Sequence, residues 1–279
     1  AAALAQALAG PGVTVAPAFT GRGNLMAETD GVVVFERARL DEINSVDEAI
    51  TVATAPAFDV VREGQMVATA KIIPFAVAGR LVDQVVARAT EGEPLIRVAP
   101  FQEKAAGLVL TRIPGMKERI LDTTSKTASA RLAAFGSNIA REIRCDHDQA
   151  EIASALSQLQ AAGCDPIFIF GASATVDRSD LAPAALVDAG GRIDHFGMPV
   201  DPGNLLFLGS LGSVPVVGMP GCARSPKING FDWVLWRLLA DLAVTPKDLM
   251  AMGAGGLLKE ISERGQLRAA TKDDPEGGV

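Results

Sequence analysis

The feature that most constrains this chain is a regular alternation of strand-like and helix-like segments from residue 103 onward. Apolar strand patterns at 105–113 and 165–172 alternate with helical patterns such as 148–163. Strands that are joined by helical crossovers run parallel in one sheet. Ligands of such sheets bind outside the carboxyl ends of the strands. The alternation therefore predicts an α/β fold with a functional edge formed by the loops after residues 113, 146, 171 and 219.

Residues 1–102 have a different pattern. Short alternating or β-branched runs, such as 31–38 and 64–75, are separated by turn residues and helix-like stretches. We therefore predict a β-rich α+β domain at 1–102, an α/β domain with a mostly parallel sheet at 103–245, and a helical tail at 246–279. The first residues are typical of the middle of a helix, which indicates that the chain is one segment of a longer polypeptide.

Composition and charge argue against several classes of protein. The net charge of -7 disfavours broad electrostatic binding of nucleic acid. No apolar run reaches the roughly 18 residues of a membrane-spanning helix, so we expect no membrane partner and a cytoplasmic location. The cysteines are three in number and not closely paired, which argues against disulfides and a zinc knuckle. The chain has two histidines, which argues against a histidine-rich metal site.

Small and hydroxyl side chains follow the apolar strand at 167–170. Gly171 and Ser173 permit a tight turn whose backbone N–H groups can face a ligand, and Ser173 and Thr175 add hydroxyl groups. Asp180 stands at the entrance of the next helix. Its carboxylate suits either a helix cap or a catalytic transfer residue that also binds Mg²⁺. The sequence leaves both roles open.

A second loop of the same kind follows the next buried strand. It contains small residues and then polar ones: Pro220, Gly221, Arg224, Ser225 and Lys227. Two cations and a hydroxyl near a helix N-terminus are typical of a phosphate site, because Arg donates from a fork and Lys supplies a point charge. Since both loops leave the same edge of one sheet, we expect them to lie side by side and to face one phosphorylated ligand.

Residues 105–240 resemble the molybdopterin-binding domain that molybdopterin adenylyltransferases and molybdopterin molybdotransferases share. Four segments in the family's order carry the resemblance: 121–136, 145–156, 170–180 and 219–226. The arrangement is most similar to the molybdopterin-binding segment of bacterial proteins that also carry a molybdenum cofactor nucleotidyltransferase domain. The first segment adds binding residues at the start of a helix, namely Asp122, Thr124 and Ser125.

The resemblance implies a three-layer αβα domain that binds molybdopterin or the molybdenum cofactor during cofactor biosynthesis. It further implies Mg²⁺-dependent nucleotidyl or molybdate transfer, a nucleotide as a second ligand, a homo-oligomer and a fused nucleotidyltransferase domain. Asp180 would then serve as both transfer residue and metal ligand. We interpret His147 as a surface histidine.

The two loops depart from the family pattern at Ala172, Val176, Cys222 and Ala223. Each departure removes backbone freedom or a hydrogen-bonding group, so the loops favour phosphate binding over complete group transfer. Three functions remain open. They are a cofactor-binding transferase, a non-catalytic carrier or sensor module of a larger cytidylyltransferase-type protein, and a phosphate-binding α/β domain unrelated to molybdenum.

Overall fold

The computed structural model describes residues 1–258, so the predicted tail lies partly outside the described residues, at 259–279. The first hundred residues form short elements: α1 (Ala2–Leu8), β1 (Val13–Val15), β2 (Arg22–Ala27), β3 (Gly31–Phe35), α2 (Arg37–Asn44), β4 (Ile50–Thr54), β5 (Val60–Val61), β6 (Met66–Ile72), α3 (Gly79–Ala89) and β7 (Ile96–Pro100). They build two antiparallel sheets, with strand orders β1-β2-β6-β4 and β5-β3-β7.

The later elements alternate as the sequence predicts. They are β8 (Ala105–Arg112), α4 (Glu118–Ala133), β9 (Asn138–Asp146), α5 (Gln149–Ala161), β10 (Ile167–Phe170), α6 (Leu181–Asp188), β11 (Arg192–Phe196), β12 (Phe207–Leu211), β13 (Val214–Gly218), α7 (Gly230–Leu239) and α8 (Pro246–Met250). The sheet order is β11-β12-β13-β10-β8-β9. Strands β13, β10, β8 and β9 run parallel, whereas β11 and β12 extend the sheet antiparallel.

Both faces of the central strands β8 and β10 are buried. Leu108 and Phe168 pack in a cluster that contains side chains of α4 and α7. The alternate residues Val109 and Ile169 belong to a second cluster, which contains side chains of α5 and α6. Burial on both faces explains why these strands are continuously apolar in sequence.

The N-terminal elements have a hydrophobic cluster of their own, which extends from Leu4 to Val98. A small cluster of Val32, Ala99 and Ala240 connects them to the later part of the chain. Within residues 1–258, every helix is too short or too polar to cross a lipid bilayer.

Helix α4 begins earlier than the sequence predicts, at Glu118 instead of near Ser125. An acid in the first turn favours that start because it faces the positive end of the helix dipole. The hydroxyl groups of Thr123 and Thr124 donate to the carbonyls four residues earlier, at 2.8 Å in both cases. Since this bond satisfies the hydroxyl inside the helix, residues that are typical of a helix cap can lie in its interior.

Only the first part of the predicted helical tail, residues 246–258, lies within the described residues. Helix α8 begins with a capping box between Thr245 and Asp248, and it continues into a single 3₁₀ turn at Ala251–Gly253. Gly255 then takes a φ of +87°, which ends the helical path. Leu257 pairs with Asp201 in an isolated β-bridge.

Candidate functional site

The loops that follow β10 and β13 lie side by side. These strands are parallel neighbours, and Ile169 is in register with Gly218. Met219 N–H donates to the Ile169 carbonyl at 2.8 Å, which extends the pairing to the start of the second loop. We call residues 171–180 the first loop and residues 219–229 the second loop.

A small hollow of about 170 Å³ separates the two loops. We call it the loop hollow. Its lining is Gly171, Ala172, Ser173, Ala174, Thr175, Leu205, Met219, Pro220, Gly221 and Arg224. Six residues that the sequence singled out as ligand contacts are therefore brought together, three from each loop.

Arg224 is the cation of the loop hollow. It ends a 3₁₀ turn at Gly221–Arg224, and its guanidinium carbon lies 4.6 Å from the centre of the Phe170 ring. Nη2 donates to the Gly171 carbonyl only at a long 3.4 Å, and the buried Nε has no hydrogen-bond partner among the described residues. Burial lowers the pKa of Arg224. The guanidinium therefore has donor capacity to offer a ligand.

The first loop offers backbone donors beside this cation. No hydrogen bond within residues 1–258 uses the N–H groups of Ser173, Ala174 or Thr175. Successive free N–H groups in a turn are a favourable environment for an anion. At Gly221, in the opposite wall, an added Cβ would meet no atom within 4 Å, so the second loop leaves open space there.

Thr111 and His147 support the first bend of this loop. Thr111 is 1% exposed, and its Oγ1 accepts the N–H of Ala172 at 2.7 Å. The same oxygen lies 2.8 Å from Nδ1 of His147. Because the single hydroxyl proton is then free to be donated to Nδ1, this arrangement suits a neutral imidazole that carries its proton on Nε2.

His147 is partly buried, which differs from its interpretation as a surface residue. Desolvation lowers the pKa of His147, and the negative charge of Asp180 opposes this effect more weakly. The sequence did contain a signal for both supporting residues. Thr111 and His147 lie at the carboxyl ends of β8 and β9, the edge at which ligands of such sheets bind.

Asp180 closes the first loop. It occupies the residue before α6, but its side chain makes no capping bond to that helix. Instead Oδ2 accepts the N–H groups of Val176 and Asp177, at 2.6 and 3.0 Å. Asp180 does not belong to the lining of the loop hollow. Within residues 1–258, no group of three or more His, Cys, Asp or Glu side chains could hold a metal ion.

Asp122, Thr124 and Ser125 lie in the second turn of α4 and do not line the loop hollow. Asp122 accepts from Arg144 Nη1 at 2.8 Å, and Ser125 donates to Glu142 Oε2 at 2.5 Å. Arg144 also pairs with Glu118 and Glu142, and these hydrogen bonds raise its pKa. The structure thus places Asp122 and Ser125 in a surface ion-pair cluster with side chains of β9, whereas Thr124 is buried in α4.

Ser225 and Lys227 shape the second loop without lining the loop hollow. Ser225 Oγ accepts the N–H of Lys227 at 3.3 Å, and the Lys227 side chain is exposed. The carbonyls of both residues accept from Nη2 of Arg131, at 2.6 and 3.1 Å.

A buried ion pair fixes this loop to α4. Arg131 Nε donates to Asp232 Oδ1 at 2.7 Å, and both side chains are 8% exposed. Arg131 Nη1 donates to the Ala223 carbonyl at 2.8 Å. Asp232 also accepts the N–H of Asn229 in the capping box that begins α7. One guanidinium therefore holds the backbone on both sides of Arg224.

No protein-family model matches the chain, and no curated protein matches it by sequence. Among solved structures, the chain is similar to the molybdopterin biosynthesis moea protein from Pyrococcus horikosii at 15% identity, with 85% of this chain and 79% of that chain covered and a TM-score of 0.39. The likeness is distant.

Proposed function

We propose that the loop hollow binds the terminal phosphate of a phosphorylated heterocycle, and that this ligand is molybdopterin or the molybdenum cofactor. The observation that carries the phosphate proposal is the position of Arg224, an incompletely paired guanidinium in a hollow between two loops. The choice of ligand rests on the order of the motifs along the sequence. The proposal also includes a three-layer αβα arrangement of residues 103–245. The two hydrophobic clusters on either side of β8 and β10 support this arrangement.

The size of the loop hollow limits what it can enclose. Its volume of about 170 Å³ is below the roughly 300–1,000 Å³ of pockets that surround a drug-sized ligand. The hollow therefore suits a phosphate group, while the ring system of the ligand would lie outside it across the first loop. The N–H groups of 173–175 and the Ser173 and Thr175 hydroxyls would donate to the phosphate together with Arg224.

We propose binding and presentation of the ligand as the primary role. Ala172 and Val176 replace glycines in the first loop, and the Asp180 carboxylate is engaged by two backbone N–H groups. Asp180, the candidate Mg²⁺ ligand, lies outside the lining of the loop hollow, so the proposal does not include a Mg²⁺-dependent transfer step there. We further propose that this carrier module acts with a partner or fused nucleotidyltransferase domain and as a homo-oligomer.

The competing function is a phosphate-binding domain unrelated to molybdenum. Arg224 and the free N–H groups would recognise any phosphate monoester, because they contact only the anion. The two functions differ in whether the pterin ring contributes to binding.

Arg224→Met tests the proposed site, and Arg178→Met is the matched control. Arg178 lies in the first loop, is exposed and does not line the loop hollow. Hydrogen bonds from a charged group contribute about 1.5–3 kcal/mol, so Arg224→Met should weaken molybdopterin binding by roughly 10- to 150-fold. Arg178→Met should change it by less than about threefold. The readout is pterin fluorescence after acid oxidation of protein that has been incubated with molybdopterin and desalted.

Two results separate the parts of the proposal. If the wild type and Arg224→Met bound molybdopterin equally well, the loop hollow would not be the phosphate site. If the wild type bound inorganic phosphate and molybdopterin with equal affinity, the ring would contribute nothing and the molybdopterin assignment would fail, while the phosphate site would stand.

A further inference from the structure

A larger cavity of about 790 Å³ lies between the N-terminal elements and the C-terminal helices. We call it the tryptophan cavity. One wall comes from Phe35 and residues 54–59, and the other from Trp233, Trp236 and Arg237 of α7 with residues that follow α8. Its volume lies within the roughly 300–1,000 Å³ that is typical of small-molecule sites. It shares no lining residue with the loop hollow.

Arg237 is an unpaired buried cation in this wall. The residue is 8% exposed, and neither Nε nor Nη1 has a hydrogen-bond partner among the described residues. Its guanidinium carbon lies 3.9 Å from the centre of the Phe58 ring. Burial lowers the pKa of Arg237 to about 10, and the negative charge of Asp248 opposes that effect. An unpaired buried charge is destabilising, so a counter-charge placed here would bind favourably.

Phe58, whose ring lies over this arginine, has a strained backbone conformation. Phe58 has a φ of +63°, in the left-handed region that bulky residues rarely adopt. Its N–H donates to the Val33 carbonyl at 2.7 Å, which holds the strained turn. Strain of this kind is costly and is typical of functional sites. The ring and the two indoles of α7 give the cavity apolar walls that suit a flat ligand.

Acidic side chains also line the tryptophan cavity, but each already has a partner. Asp41 lies 3.6 Å from Arg37 at the rim, Asp59 accepts the N–H of Val60, and Asp248 accepts from Thr245 in the capping box of α8. They do not ion-pair with Arg237 within 4 Å. Asp248 acts on Arg237 only through its charge at longer range, so Nε and Nη1 of the guanidinium keep their hydrogen-bonding capacity for a ligand.

We propose that the tryptophan cavity binds a small aromatic carboxylate. The carboxylate would accept hydrogen bonds from the Arg237 guanidinium, and the ring would pack against Trp233 and Trp236. This site is separate from the loop hollow and does not depend on the function proposed for it. Because residues of the N-terminal and C-terminal parts form opposite walls, the bound ligand would connect the two.

The chain supplies its own optical probe for this site. It contains two tryptophans and no tyrosine, and both tryptophans line the tryptophan cavity. Indole fluorescence of the full chain therefore reports on this cavity alone. The probe ligands are benzoate and 3-phenylpropionate, with benzyl alcohol and 3-phenylpropanol as neutral controls of matched shape.

We expect a saturable change in fluorescence with at least one of the two carboxylates, and at least about tenfold weaker binding of the matching alcohol. Arg237→Met, which keeps an unbranched apolar stem but removes the charged guanidinium, should weaken carboxylate binding by at least about tenfold. Arg37→Met is the matched control at the rim of the same cavity, because the Arg37 side chain is 84% exposed. It should change the affinity by less than about twofold.

The proposal fails if neither carboxylate gives saturable binding, or if the acids and alcohols bind equally. It also fails if a folded Arg237→Met binds the carboxylate as the wild type does. Should Arg237→Met not fold, the comparison of acid with alcohol in the wild type decides the matter, since that comparison requires no variant. A rise in the thermal midpoint with the carboxylate, and not with the alcohol, is expected from linkage.

Discussion

Loss of the Arg131 side chain should destabilise the protein strongly and disturb the loop hollow at a distance. Arg131 donates to Asp232 and to the carbonyls of Ala223, Ser225 and Lys227. In Arg131→Met the Asp232 carboxylate would stay buried without a counter-charge. Removing one partner of a buried ion pair typically costs about 3–5 kcal/mol. We expect a loss of that size in the free energy of unfolding.

The exposed ion-pair cluster around Arg144 provides a matched control. Arg144 pairs with Glu118, Asp122 and Glu142, but its side chain is 28% exposed and two of its partners are more than half exposed. Exposed pairs contribute about 0–1 kcal/mol each because water and salt screen them. Urea denaturation should therefore give a much smaller loss for Arg144→Met than for Arg131→Met.

The double variant Arg131→Met/Asp232→Asn tests the cause of the loss. Asparagine keeps an oxygen that can accept the N–H of Asn229 but removes the charge that Arg131 neutralises. The double variant should recover about 1–2 kcal/mol relative to Arg131→Met. A loss below about 1 kcal/mol in Arg131→Met, or a double variant less stable than Arg131→Met, would refute this account of the pair.

Three further changes test other parts of the site. Thr111→Val should lower the free energy of unfolding, measured by urea denaturation, by about 1–3 kcal/mol, because the partly buried Ala172 N–H loses its acceptor; a neutral result would show that water replaces the hydroxyl. The pKa of His147 is lowered in the folded state, so the unfolded state binds more protons below pH 6.5 and stability should fall as the pH drops below that value. His147→Gln should reduce this pH dependence, and an unchanged slope would contradict the assignment. Gly218→Ala should destabilise the folded protein by about 1–3 kcal/mol, because the added Cβ would clash with the Phe207 ring. An unchanged thermal midpoint would mean that the ring moves freely.

The position of the two loops could be predicted from the sequence because it depends on local patterns and one topological rule. Strands β10 and β13 are short apolar runs; Gly171 follows the first, and Gly218 ends the second. Helix α5 precedes β10 and helix α7 follows β13, and both helices have clear helical patterns in the sequence. Parallel neighbours bring the loops at their carboxyl ends to one edge. Gly171 and Arg224 therefore lie in one hollow, as that rule predicts.

The residues that support the loops could not be predicted in the same way. Arg131 and Asp232 are 101 residues apart, and nothing in either local pattern indicates that they pair. The hydroxyl-rich segment around Thr124 has the composition of a helix start, but a threonine can also donate to a carbonyl one turn earlier. Local composition does not decide between these two outcomes, whereas packing of α4 against the sheet does.

The two proposed sites lie at opposite ends of one segment of the chain. Arg224 precedes α7 and Arg237 lies in its last turn, and a helix of ten residues is about 15 Å long. Burial lowers the pKa of both arginines, and neither forms an ion pair within residues 1–258. Such cations are costly unless something offsets their charge. The aromatic rings of Phe170 and Phe58 offset part of that cost, since a cation over a ring is worth up to about 2 kcal/mol. An anionic ligand at each end would offset the rest of the cost of burying these charges. Substitutions of Arg224 and Arg237 therefore test the two proposals most directly.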